Sequence, residues 1–292
     1  MNRRKFIKTG LQTGGVGLMV STLGCQGSFF DAFESSAEEA IVAQSAGTNL
    51  YKVNLNTGAT SIITSAFANN LNGVALKDQD TALVIDNTGN IIFYEVNLNT
   101  GNVKTHTTNI TTAIATSIGI ENESSILVGD SVAILTRINL NTLANSVLVS
   151  TGGAGSIIGI AIESSSSALI LDSSVPSLIR VNLLNGTSTT LASPAGNQKI
   201  AYAPSRNLAL ISNSAAAQIN RFDLSSNSSL SGIGPANSGP GIALENSHSV
   251  LVADNSLGGL YRVDLDTGVI SRVDDNTLLN GVSLADIAVR FR

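Results

Sequence analysis

The sequence predicts an all-β chain built as a six-bladed β-propeller, four antiparallel strands to a blade, closed by a C-terminal strand that completes the first blade. Three observations lead there. The phrase VNLNTG at 53–58 returns unaltered at 96–101 and in varied form four more times. The aligned anchors Val53, Val96, Ile138, Val181, Phe222 and Val263 are spaced 43, 42, 43, 41 and 41 residues apart, a regularity that marks a repeat architecture. The first repeat lacks the leading strand that the others have, and the chain ends on NGVSLADIAV (280–289), a leading strand without successors.

Within a repeat the elements follow one order. A short apolar piece comes first: NGVALK (72–77), IGIENE (118–123), GIAIES (159–164), KIAYAP (199–204) and GIALEN (241–246). A second apolar run then ends in Asp or a near equivalent, as in ALVID, ILVGD, ALILD, ALISN and VLVAD. The anchor strand follows, then an Asn/Asp-Thr-Gly turn and a Thr/Ser/Val-rich run such as TSIITS. Short β-branched-rich runs punctuated by Gly, Asn and Asp read as strands joined by hairpins. Glycine supplies the positive φ such turns need, and Asn or Asp caps the backbone two residues on. A parallel β-helix would need two coils for each repeat of this length, whereas a four-stranded blade fits it directly. Stitching the last strand to the first blade removes two exposed sheet edges.

Composition agrees. Of 292 residues 43% are hydrophobic, 13% charged and 4% aromatic, with no Trp. The formal charge is −5, and because the first 24 residues hold four bases and no acid, the remainder carries −9. So acidic a body is repelled by phosphate backbones, which argues against nucleic acid as a partner. No later apolar run has the ~20 residues a membrane-spanning helix requires.

The N-terminus reads as an address. Residues 1–24 combine a basic start with a mildly apolar, Gly-rich stretch, and Arg3, Arg4, Phe6 and Lys8 resemble a twin-arginine export signal. The alternative is an ordinary secretory signal that happens to contain Arg-Arg. Cys25, the only cysteine, follows Leu23-Gly24 as the modified Cys of a lipoprotein signal does, although Thr22 stands where that pattern prefers Leu. The alternative is a free thiol in a discarded signal. Acylation would make residues 25–37 a lipidated Cys and flexible stalk, with the propeller at 38–292. The protein would then be tethered at a membrane without spanning it, on the periplasmic side of the outer membrane, as a monomer.

Residues 241–273, GIALENSHSVLVADNSLGGLYRVDLDTGVISRV, resemble one blade of the six-bladed NHL-repeat, YWTD and gluconolactonase-like propellers. The resemblance covers about residues 38–289. It implies architecture more than activity, because that superfamily includes enzymes, sensors and scaffolds. It also implies that one mouth of the central channel is formed by Asn72 and Asn280 with Gln44, Asp86, Asp130, Asp172, Asn213 and Asp254. Carboxylates and amides there could hold a hard cation such as Ca²⁺, or each Asp could simply cap its own loop. Gluconolactonase-like enzymes hold a divalent metal through a Glu and two Asn/Asp residues. Asn72 and Asn280 match two of these, but no Glu stands at a corresponding position.

Glu121, Glu163 and Glu245 fall on the opposite face and read as solvated turn residues. Lys52, Arg137, Arg180, Arg221 and Arg262 share one position before the anchor, with Glu95 the exception. They would form a basic ring or pair locally with acids. His106, in an outer strand, and His248, in a hairpin turn, are poorly placed for catalysis. The Gly-rich patch 152–155 reads as a blade-to-blade loop. The expectation is a non-enzymatic platform for an unidentified envelope protein or small polar ligand, the alternative a metal-dependent lactonase-like hydrolase.

Overall fold

The computed structural model describes residues 37–291 apart from 111–112, 153–154, 174–176, 195, 235–240, 255–257 and 276. The export-signal residues, Cys25 and the stalk through residue 36 lie outside the described residues. Within them, 24 strands form six four-stranded antiparallel sheets. The first blade holds β1 (Glu39–Gln44), β2 (Leu50–Asn54) and β3 (Thr60–Thr64). The second runs β4 (Leu71–Leu76), β5 (Thr81–Asp86), β6 (Ile92–Asn97) and β7 (Val103–Thr107). The third is β8 (Ala115–Asn122), β9 (Ser125–Asp130), β10 (Ile134–Asn139) and β11 (Asn145–Ser150). The fourth is β12 (Ile157–Ser164), β13 (Ser167–Asp172), β14 (Ser177–Asn182) and β15 (Ser188–Ala192). The fifth is β16 (Asn197–Ala203), β17 (Leu208–Asn213), β18 (Gln218–Asp223) and β19 (Ser228–Ile233). The sixth is β20 (Ile242–Leu244), β21 (Ser249–Asp254), β22 (Gly259–Asp264) and β23 (Ile270–Arg272), and β24 (Leu284–Arg290) ends the series.

β24 pairs antiparallel with β1, from Glu39 opposite Arg290 to Gln44 opposite Leu284. The first sheet therefore has the order β24-β1-β2-β3, and its inner strand comes from the far end of the chain. The hydrophobic core shows the same closure. It divides into six clusters, each shared by two neighbouring blades. One joins Ala40, Val42 and Val53 of the first blade to Leu251, Ala253 and Leu260 of the sixth.

Burial explains the strand patterns. The second strands are covered on both faces by adjacent blades, so β9 and β21 are buried at every position and read as continuous apolar runs rather than alternating ones. The outer strands face solvent. β19, SSLSGI, is exposed along most of its length, and the Ser/Thr-rich runs sit there.

The repeated turn has one geometry. The Oδ1 of Asn54 accepts the backbone N–H groups of Asn56 and Thr57 at 3.0 and 2.9 Å. Asn97, Asn139, Asn182, Asp223 and Asp264 do the same in the other blades. Four of the turns close on Gly58, Gly101, Gly186 and Gly268, with φ between 71° and 77°, and the other two force Leu143 and Asn227 to φ 59° and 52°. Glycine has a second reason at Gly186. A Cβ there would lie 2.4 Å from the carbonyl oxygen of Leu148 in the preceding blade.

Candidate functional site: the central channel

Six inner strands line the axis: β4, β8, β12, β16, β20 and β24. Four of them, and β24 against β1, shift register near their starts, which marks a bulge. A bulge leaves backbone groups out of the ladder, and here it frees carbonyls such as those of Asn72 and Thr116. One position is equivalent in every blade, the residue just before Val74, Ile118, Ile160, Ile200, Ile242 and Ile287: Gly73, Ser117, Gly159, Lys199, Gly241 and Asp286. Three glycines leave room at this level, and one lysine and one aspartate fill it. The Lys199 ammonium donates to the carbonyls of Asn72 and Thr116, each at 3.0 Å, and stands 3.7 Å from Asp286 Oδ2. Asp286 also accepts the N–H groups of Ile287 and Val74 at 3.0 and 3.4 Å. One side chain from the fifth blade thus ties down the first three. Burial pushes the Asp286 carboxyl above the usual carboxylate range, against the pull of Lys199.

The sequence reading missed this neck. Its signal was visible in KIAYAP set beside GIAIES and GIALEN, where Lys199 replaces a glycine, and in DIAV at the last strand.

Asp86, Asp130, Asp172, Asn213 and Asp254 lie at the ends of second strands, on the face where the inner strands begin. All are buried, at 0 to 6% exposure. Asp86 accepts from the Thr88 backbone and hydroxyl and from the Tyr94 hydroxyl at 2.7 Å. Burial and that bond to Asp86 push the Tyr94 phenol well above its ordinary range. Asp130 caps Val132 and Ile134, and Asn213 caps Ala215 and Ala216. Asp172 accepts the Thr151 hydroxyl. Asn72 donates its amide to Ala115 O at 2.7 Å, Gln44 accepts from the Tyr51 hydroxyl, and Asn280 is exposed in the turn before β24. Among the described residues no three His, Cys, Asp or Glu side chains converge as a metal cluster, and no helix is long and apolar enough to cross a membrane.

At the other end of the channel, where the inner strands finish, a cavity of about 490 Å³ opens. Its walls are mostly apolar, with Leu76, Ile162, Ile200, Tyr202, Leu244 and Phe291 among them, and Asp78, Gln79 and Arg290 supply polar groups. The neck begins one residue before Ile200, at Lys199. Arg290 is 3% exposed; its guanidinium reaches Glu39 at 2.8 Å and Asp80 at 2.7 Å. Its Nε is the one buried side-chain nitrogen or oxygen among the described residues with no hydrogen-bond partner.

On the same face, the expectation for Glu121, Glu163 and Glu245 as solvated turn residues is corrected. Their side chains are only 6, 13 and 2% exposed. Each accepts the Nε of the arginine of its own blade, Arg137, Arg180 or Arg262, at 2.6–2.8 Å. Periodic Arg and Glu are therefore internal pairs and not a basic ring. The second blade reverses the pair, Lys77 to Glu95 at 2.9 Å. His106 joins Glu95 at 3.1 Å and stacks on Phe93. In the fifth blade Ala203 offers no acid, and Arg221 donates instead to Ser231 O.

No family model and no curated protein sequence matches the chain. Solved structures do. A chain of a nidogen–laminin complex superposes with a TM-score of 0.75 at 11% identity, over 87% of this chain and 98% of that one. A protein of unknown function from Bacteroides thetaiotaomicron superposes with a TM-score of 0.63 at 12% identity, over 85% of this chain and 70% of that one. At such identities the shared property is the fold: an all-β six-bladed propeller with four antiparallel strands per blade.

Proposed function

We propose that the protein is a non-catalytic binding module held at the cell envelope, with the channel cavity as its small-ligand site. The cavity is the observation that carries this. Its volume, about 490 Å³, falls among those of ligand pockets, and such pockets pair apolar walls with a few polar groups. Lys199 and Asp286 stand across the channel beyond it, so a ligand enters from one face. This shifts the expected ligand from a polar one at the Asp-rich end to one with an apolar body at the other.

The address supports the same picture. The basic start and Leu23-Gly24-Cys25 favour twin-arginine export and acylation of Cys25, and the lipoprotein's destination is then the periplasmic side of the outer membrane. The chain enters the propeller on the cavity's face, where Glu38 N donates to Arg290 O at 3.0 Å, so a tether would hold the cavity toward the membrane. An envelope protein docking on the remaining surface is the companion proposal, and the nidogen–laminin assembly is an instance of this fold in a protein complex.

Thermal-shift screening of small molecules against wild type and Ala288→Phe, which fills the cavity wall, tests the binding site. Hits that survive the substitution would refute it. Fractionation of Cys25→Ser tests the anchor: the variant should leave the membrane fraction, and one that stays overturns lipidation.

A further inference from the structure

We propose that the cavity takes an alkylammonium ligand, an apolar chain carrying one cationic head; this rests on the cavity being the binding site. The walls select the chain. Leu76, Ile162, Ile200, Leu244 and Phe291 offer a ligand no polar partner, so the gain available there is apolar surface removed from water.

The head follows from which charges around the cavity are uncommitted. Arg290 lines it but is 3% exposed, and its guanidinium is shared by Glu39 at 2.8 Å, Asp80 at 2.7 Å and the Asn99 side-chain oxygen at 3.4 Å. Two carboxylates thus outweigh its single positive charge. The neighbouring cations are engaged as well. Lys77 is held by Glu95 at 2.9 Å, Lys52 stands 3.9 Å from Glu39, and Lys199 at the neck is held by Asp286 and two carbonyls. Arg180, near Tyr202, donates twice to Glu163, at 2.8 and 2.6 Å. An anionic head therefore finds no free cation among the described residues around the cavity.

Asp78 is the opposite case. It lines the cavity, is exposed, and its carboxylate accepts only the Asp80 N–H, at 2.8 Å, with no described Lys, Arg or His within 4.0 Å. The Gln79 amide can donate or accept and does not discriminate, and the Tyr202 hydroxyl donates to Asn207 at 3.2 Å. The rim's uncommitted charge is negative. A cationic head beside Asp78 stays in contact with water while its chain lies on the walls, whereas a carboxylate there meets a like charge. The net −9 carried beyond residue 24 adds a field of the same sign.

Three probes of one chain length separate the head groups by calorimetry: octylammonium, octanol and octanoate, with N-acetyl-leucine amide as a peptide-like control. The full chain is used with Cys25→Ser, so that no acyl group competes. Octylammonium should bind about threefold tighter than octanol and about tenfold tighter than octanoate, as for one exposed charge contact made or opposed. That spread should shrink in about 0.5 M salt. Asp78→Asn keeps an acceptor for the Asp80 N–H and removes the charge; it should cost octylammonium about threefold and leave octanol unmoved. Octanol or octanoate binding as tightly as octylammonium overturns the inference, as does a preference that survives Asp78→Asn or a peptide control that binds best. If the head groups bind alike and Ala288→Phe abolishes them all, the site stands and the ligand class falls. If no probe binds, or Ala288→Phe changes nothing, the site itself is refuted.

Discussion

Replacing Lys199 with methionine keeps the stem and removes the ammonium. Two hydrogen bonds to the Asn72 and Thr116 carbonyls and the contact with Asp286 vanish together. Bonds from a charged donor are worth about 1.5–3 kcal/mol each, and breaking one side of a buried ion pair costs about 3–5 kcal/mol, because the remaining charge has no partner. These overlap, so the expected loss at pH 7 is about 3–5 kcal/mol. In urea denaturation the midpoint should fall with little change in slope. The pH dependence has a definite sign. The Asp286 carboxyl is already raised by burial, and losing its cation raises it further. A raised carboxyl binds more protons in the folded than in the unfolded state, so stability falls as pH climbs above the ordinary 3.8. The deficit of Lys199→Met should therefore be smaller at pH 4 than at pH 7. Adding Asp286→Asn should recover part of the loss, giving a coupling above about 1 kcal/mol. A single variant within about 0.5 kcal/mol of wild type, or additivity in the double variant, would refute the reading of the neck as one coupled unit.

Two glycines in equivalent turns separate strain from collision. Gly186→Ala and Gly268→Ala meet the same positive φ, but the new Cβ lies 2.4 Å from Leu148 O at 186 and has nothing nearer than 3.8 Å at 268. The second should cost about 1 kcal/mol and the first at least twice that by urea titration; equal costs would contradict the packing described. Removing residues 284–291 deletes the inner strand of the first blade and leaves β1 an open edge, so the truncated chain should lose its cooperative thermal transition, and retention of it would argue against closure. Glu95 is held below its ordinary 4.5, first by Lys77 and then by His106. Its stabilising contribution is present above about pH 4.5 and lost as pH falls through the lower folded value. Glu95→Gln should flatten the acid limb of a Tm-against-pH curve, and an unchanged limb would count against the pair.

What was legible in the sequence was whatever the repeat enforces. Val53 and its equivalents, the Asn54-type turn caps and the continuous second strands recur because each blade must bury two faces and turn back four times, so spacing gave six blades, and the leading strand left over at 280–289 gave the β24–β1 closure. The same logic drew attention to the Asp-bearing mouth of the channel. Asp86 and its counterparts recur because each loop needs a cap, and their side chains face inward to Thr88, Val132 or Ala215. Glu121, Glu163 and Glu245 looked solvated because a hairpin glutamate usually is, and only the folded blade shows the arginine from the third strand lying over each of them. In a ring of equivalent wedges, a residue kept in every wedge serves the wedge. A property of the axis has no sixfold copy, and it is written where the repeat is broken: Lys199 and Asp286 in place of glycine, and Arg290 where other blades carry Glu, beside the cavity. Periodicity therefore hid the channel's chemistry by making its residues look like noise in the alignment.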